Sequence, residues 1–165
     1  TGAPSPLDRA DRCSYISPCD EMTEGDRPIR DFERALKAAG DPTRTRILKL
    51  LEGGGLCVCQ VQAILSLAPS TVSKHLTLLK TAGLVEDRRD GKWIRYALAT
   101  GDTNPHARAV LAMLRGTLDR EPAILADRKR LREVRAVPLV QFCATMTARP
   151  AAPRARARRA PGARR

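Results

Sequence analysis

Aromatic side chains are scarce: Tyr15, Phe32, Trp93, Tyr96 and Phe142 are the whole set in 165 residues. The core must therefore be aliphatic, and a platform of rings for stacking single-stranded bases is excluded. Long apolar runs are missing as well. The longest uncharged stretch, 53–73, holds three glycines, two glutamines, a proline and several hydroxyls, which hydrocarbon would reject, so no membrane partner is expected. The first residues show no apolar signal core, which predicts a cytoplasmic protein. Acids are absent from 149–165, which carries seven arginines and little to bury. That segment reads as a disordered Arg-rich tail, either a salt-sensitive phosphate contact or an extension without a role.

What is present is positive charge. Lys and Arg number 30 against 18 Asp and Glu, a net +12, and removing the tail leaves +5. An anionic partner fits this balance. The length suits one domain. In a reducing compartment the five cysteines are better read as thiols or metal ligands than as disulfides.

Residues 1–28 are polar and proline-rich and read as a flexible arm containing Cys13 and Cys19. From Ile29 the pattern turns helical, with Ile29, Phe32, Leu36 and Ala39 on one face. Gly40 stops that helix, and Asp41-Pro42 supplies an N-cap and first residue for the next, which buries Ile47, Leu48 and Leu51. A short third helix fits between Cys57 and Leu65. Ser70 or a neighbour caps a fourth, Thr71 to Thr81, which buries Val72, Leu76 and Leu79. Two short strands then flank Asp90-Gly91. A fifth helix carries Ala107, Val110, Leu111, Leu114 and Leu118 on its apolar face, and a basic helix is expected over 127–135. The order predicts a mostly α protein with a small β-hairpin, a winged helix-turn-helix over 29–120 followed by a C-terminal helical extension over 121–148.

The segments DPTRTRILKLL, LCVCQVQ and STVSKHLTLLKTAGLVEDRRDGKWIRYAL resemble the ArsR/SmtB-type metalloregulatory repressors, in order and spacing, across about 29–120. The resemblance implies a homodimer joined through its first and last helices. It also implies a repressor that holds double-stranded operator DNA and leaves it when a thiophilic metal or metalloid binds.

A recognition helix must offer donors and acceptors to base edges in the major groove. Ser70, Thr71, Ser73, Lys74, His75, Thr77 and Lys80 have that chemistry, although an ordinary amphipathic surface helix would look similar. The basic hairpin that follows favours DNA: Arg88, Arg89 and Lys92 surround its turn and suit a minor groove or a phosphate chain. Trp93, Ile94, Tyr96 and Leu98 are expected to pack the sheet.

Cys57 and Cys59 are the sharpest chemical signal. Two residues apart on a regular helix, their side chains would diverge by roughly 200°, so joint ligation requires the pair to sit at, or unwind, a helix start. Thiolates are soft ligands. Arsenic(III) or antimony(III) takes three sulfurs, and arsenical repressors of the resembled family often carry the third Cys three residues after the second. Here that position is Gln62, so Cys13, Cys19 and Cys143 stand as candidates. Cadmium- and lead-sensing relatives instead join amino-terminal cysteines to this pair, which Cys13 and Cys19 resemble, so a cadmium, lead or zinc sensor using the arm is the alternative. Two buried apolar thiols that bind nothing are the plain alternative. A second-site zinc centre of the kind some relatives carry on the last helix is not expected, since Asp102 and His106 lack further partners.

No catalytic constellation appears, and an enzyme is not expected. A thiol oxidoreductase would need a Cys-x-x-Cys pair on another scaffold. A disulfide switch between Cys57 and Cys59 would be strained.

Overall fold

The computed structural model describes residues 27–100 and 103–148. Its elements run α1 (Arg27–Ala39), α2 (Pro42–Leu51), β1 (Leu56–Cys57), α3 (Val58–Leu65), α4 (Pro69–Thr81), β2 (Val85–Asp90), β3 (Trp93–Leu98), α5 (Ala107–Leu114), α6 (Pro122–Arg135) and α7 (Leu139–Ala148). Helices α3 and α4 with the β2–β3 hairpin form the winged helix-turn-helix. The core is aliphatic: Ile47, Leu48, Leu50, Leu56, Val61, Ile64, Val72, Leu76, Leu79 and Leu84 are essentially inaccessible.

Local chemistry sets the element ends. Asp41 caps α2, its carboxylate accepting from the Arg44 N–H at 2.9 Å, with Pro42 in the first turn. Helix α4 starts earlier than expected, at Pro69 with Ala68 as N-cap, so Ser70 lies inside its first turn instead of capping it. The hairpin loop is Gly91-Lys92, one residue beyond the expected pair, because Asp90 and Trp93 are partners. Only Gly91 takes positive φ there (+59°), as a turn led by glycine requires.

Three further differences matter. Arg27 and Pro28, assigned to the arm, begin α1. The fifth helix stops at Leu114: Arg115 becomes extended (φ −63°, ψ 130°) and Leu118 has φ +63°, so Leu118 leaves the apolar stripe and is exposed. The hairpin also gains a third strand, in the order β1-β3-β2, with Leu56 opposite Tyr96 and Cys57 opposite Arg95. The expected Arg-rich tail, 149–165, and most of the arm lie outside the described residues.

Asn104 joins the two ends of the domain. Its Nδ2 donates to the carbonyls of Asp31 on α1 and Ala82 after α4, both at 2.9 Å. Gly83 (φ +73°) makes room for it: a Cβ there would lie 2.6 Å from the Asn104 Cβ. Gly83→Ala therefore combines backbone strain with a clash, at a cost of about 2 kcal/mol. A thermal melt should show the midpoint falling by about 6 °C.

Helices α6 and α7 form the C-terminal extension, which packs on α2 and α3. Arg46 on α2 grips the buried Asp127 of α6 through two 2.7 Å hydrogen bonds. Arg130 donates to the Ile64 carbonyl at the end of α3 (3.0 Å). Lys49, also buried, meets Glu52 at 2.7 Å, Asp119 at 2.8 Å and the Leu114 carbonyl at 3.1 Å. Each buried charge is thus partnered.

Candidate metal centre and DNA-facing surface

Cys57 ends β1 and is the N-cap of α3, with extended φ −86° and ψ 163°. Its N–H donates to Gln60 Oε1 at 3.1 Å. Cys59 is the second residue of the helix and half-buried. The divergence expected of neighbours on one helix does not apply, because Cys57 stands outside the helical turn. Both thiols can face one point.

That point is occupied from the other side by Cys143 on α7. Its Sγ lies 3.5 Å from Cys57 Sγ, and the three sulfurs all fall within 4.8 Å of one another. Around a zinc-sized ion with metal–sulfur bonds of ~2.3 Å, tetrahedral sulfurs stand about 3.8 Å apart. The cluster therefore fits a three-sulfur site with small side-chain adjustments. Cys57 and Cys143 are buried. Burial pushes the Cys59 and Cys143 thiols up, and the adjoining thiols push Cys143 further. Thiols raised in this way suit a closed ligand set and disfavour a nucleophile.

Of the candidate third ligands, only Cys143 is brought to the pair; Cys13 and Cys19 lie outside the described residues. Asp102 lies outside them too. His106 packs its ring edge-on to Phe32 at 5.4 Å, and its buried Nε2 has no hydrogen-bond partner among the described residues. Within the expected helical extension over 121–148, sequence reasoning placed one basic helix and did not separate α7 from it, and it also missed the Gln60 contact to Cys57. The signal for α7 was present in the sequence: Leu139, Phe142, Cys143 and Met146 recur at helical spacing after Pro138.

On α4, Ser70, Ser73, Lys74, Thr77 and Lys80 are exposed and Thr71 is half-exposed, while Val72, Leu76 and Leu79 anchor the inner face. His75 turns aside, its Nδ1 3.8 Å from Asp41 Oδ1. Lys80 pairs with Asp87 of β2 at 2.6 Å, which fixes the hairpin against the helix. That pairing raises the Lys80 pKa and lowers that of Asp87. At the wing, Arg88, Arg89 and Lys92 are exposed; Arg88 pairs with Glu86 at 3.0 Å and Arg89 donates to the Gly91 carbonyl at 3.3 Å. Tyr96 and Leu98 pack on the core as expected, whereas Ile94 is half exposed.

The family model described as "Bacterial regulatory protein, arsR family" matches residues 41–87. An uncharacterized HTH-type transcriptional regulator of Methanocaldococcus jannaschii is 51% identical over 72 residues, covering 41% of this chain and 81% of its own length. The arsenic resistance transcriptional regulator ArsR1 of Pseudomonas putida is 38% identical over 101 residues, 59% of this chain and 75% of that protein. Among solved structures, the homodimeric winged helix-turn-helix DNA-binding domain of a possible ArsR-family regulator from Mycobacterium bovis is 27% identical. It covers 63% of this chain and 94% of its own, with a TM-score of 0.49.

Proposed function

This chain belongs to the ArsR family of transcriptional repressors, DNA-binding regulators and not enzymes, and from that premise we propose that arsenic(III) or antimony(III) relieves its repression by binding Cys57, Cys59 and Cys143. The observation that carries the reading is the three-thiol cluster within 4.8 Å, drawn from two ends of the sequence. In this reading α4 enters the major groove with Ser70, Thr71, Ser73, Lys74, Thr77 and Lys80, while His75, turned toward Asp41, is left out of the base-reading row, and Arg88, Arg89 and Lys92 of the wing meet the flanking backbone.

The charge balance of the site favours the metalloid over cadmium, lead or zinc. Arsenous acid exchanges its three hydroxyls for three thiols and releases three waters, leaving a neutral centre with no net proton change. A divalent ion on three thiolates releases three protons and leaves a net negative charge in a buried place, which is costly. The cadmium, lead or zinc alternative would recruit the arm thiols Cys13 and Cys19.

The protein is proposed to act as a homodimer. Ile29, Phe32 and Leu36 on α1 and Met113 on α5 are 36–69% exposed, because the face of α1 that enters the core is Ala35, Ala38 and Ala39. A second copy would cover these side chains.

The test is fluorescence anisotropy on a labelled duplex selected from a random library by the reduced protein. Arsenite should release the duplex with a midpoint that hardly moves between pH 6.5 and 7.5, and Cys57→Ser should abolish the release. A cadmium response would instead strengthen with pH by up to about tenfold per proton released per pH unit. Release by cadmium alone, dependent on Cys13 and Cys19, would overturn the arsenical reading.

A further inference from the structure

Arg27, Arg30, Arg34 and Lys37 recur at three- and four-residue spacing and form one exposed row along α1. This row is separate from the apolar stripe of Ile29, Phe32 and Leu36. It borders α4: a cleft of about 360 Å³ is lined by Arg30, Glu33, Arg34 and Lys37 on one side and by Leu78 and Thr81 of α4 on the other. The opposite flank of α4 is held to the wing by Lys80 and Asp87.

The helix therefore lies between two cationic ridges. Arg88, Arg89 and Lys92 make one, and Arg30, Arg34 and Lys37 make the other. A helix seated in the major groove has a phosphate chain on each side of it. We infer that the α1 row is a second phosphate-binding ridge that grips the DNA strand opposite the one met by the wing. This rests on α4 being the DNA-reading helix.

Charge and rigidity both support the assignment. Four cations of the row face two acids, Asp31 and Glu33, which pair with Arg34 at 3.2 Å and Lys37 at 2.6 Å. Arg30 forms no ion pair or hydrogen bond among the described residues. The row is also fixed relative to α4. Asn104 bonds α1 to the carbonyl after α4, and Arg44 donates to the Ala38 and Lys37 carbonyls at 2.6 and 2.8 Å. A ridge on a preset helix spares the ordering of its main chain, leaving only that of its side chains, and adds affinity without reading sequence.

The experiment compares the full chain with Arg30→Gln/Arg34→Gln/Lys37→Gln on the library-selected duplex and on a random duplex of equal length, from 50 to 300 mM salt. The triple variant should lose affinity by the same factor on both duplexes, tenfold or more near 100 mM salt. The slope of log affinity against log salt should shrink by about 0.9 for each phosphate that the variant no longer neutralises. A single Arg30→Gln should change the slope, while Lys129→Gln, the same charge change on exposed α6, should not. Light scattering must give the triple variant the same mass as the parent; loss of the dimer would overturn the inference by explaining the effect otherwise. An unchanged slope in the triple variant, with Lys74→Gln still weakened, overturns the α1 ridge and leaves the α4 reading standing. If the parent chain selects no duplex, the DNA-reading assignment itself fails, and this inference with it.

Discussion

Cys143→Ser is expected to leave duplex affinity within about twofold of the parent chain and to raise the arsenite needed for release by about a hundredfold. Cys143 lies on α7, remote in sequence from every residue proposed to meet DNA, so its replacement removes the proposed third ligand and leaves the proposed DNA face intact. Serine is nearly isosteric, which keeps the packing against Cys57. A hard hydroxyl is a poor substitute for a soft thiolate, and a hundredfold loss is about 2.7 kcal/mol, a modest value for one of three bonds to a thiophilic centre. Anisotropy titration gives the midpoint, and a thermal melt without arsenite separates ligation from folding. If Cys143→Ser responds normally while Cys13→Ser/Cys19→Ser does not, the third sulfur belongs to the arm.

Arg46→Ala should destabilise the chain by about 3 to 5 kcal/mol. The guanidinium is one-third exposed and rehydrates easily once free, but Asp127 does not: its side chain is 2% exposed. Without Arg46 its nearest cation is Arg130, at 3.8 Å. The buried carboxylate then loses both of its close hydrogen bonds. That loss loosens α6 from α2, and α7 with it. Denaturant melts should show the loss, and a thiol reagent should label Cys143 faster than in the parent. Arg46→Met/Asp127→Leu should recover most of the stability, because a well-packed apolar pair replaces a buried ion pair at little cost. Slow labelling in Arg46→Ala would mean that α7 is held by its own apolar packing and not by this pair.

The winged helix-turn-helix was legible because its signals are local. Asp41-Pro42 marks a helix start, Gly83 a stop, and Val72, Leu76 and Leu79 the inner face of α4, and each depends only on near neighbours in sequence. Cys57 and Cys59 were legible as a candidate pair for the same reason. The meeting of Cys143 with that pair was not, since it depends on how two further helices fold back over α3. The third strand escaped notice because two residues, Leu56 and Cys57, carry no alternation to read. On α1 the apolar face was legible, yet its exposure depends on the alanines taking the core position, which periodicity does not reveal.

Cys57 and Cys143 are 86 residues apart, and the whole of α4 and the wing lies between them in the chain. A metalloid held by both thiols closes that stretch into a covalent ring. By the chain-entropy argument used for cross-links, such a ring removes on the order of 4–5 kcal/mol of disorder from the unfolded ensemble. If arsenic(III) or antimony(III) is the inducer, it is then also a staple, and the form released from DNA would be the more heat-resistant one. Derepression on this scheme is a repositioning of an intact, tightened fold, and cells under metalloid stress would hold more of the folded protein.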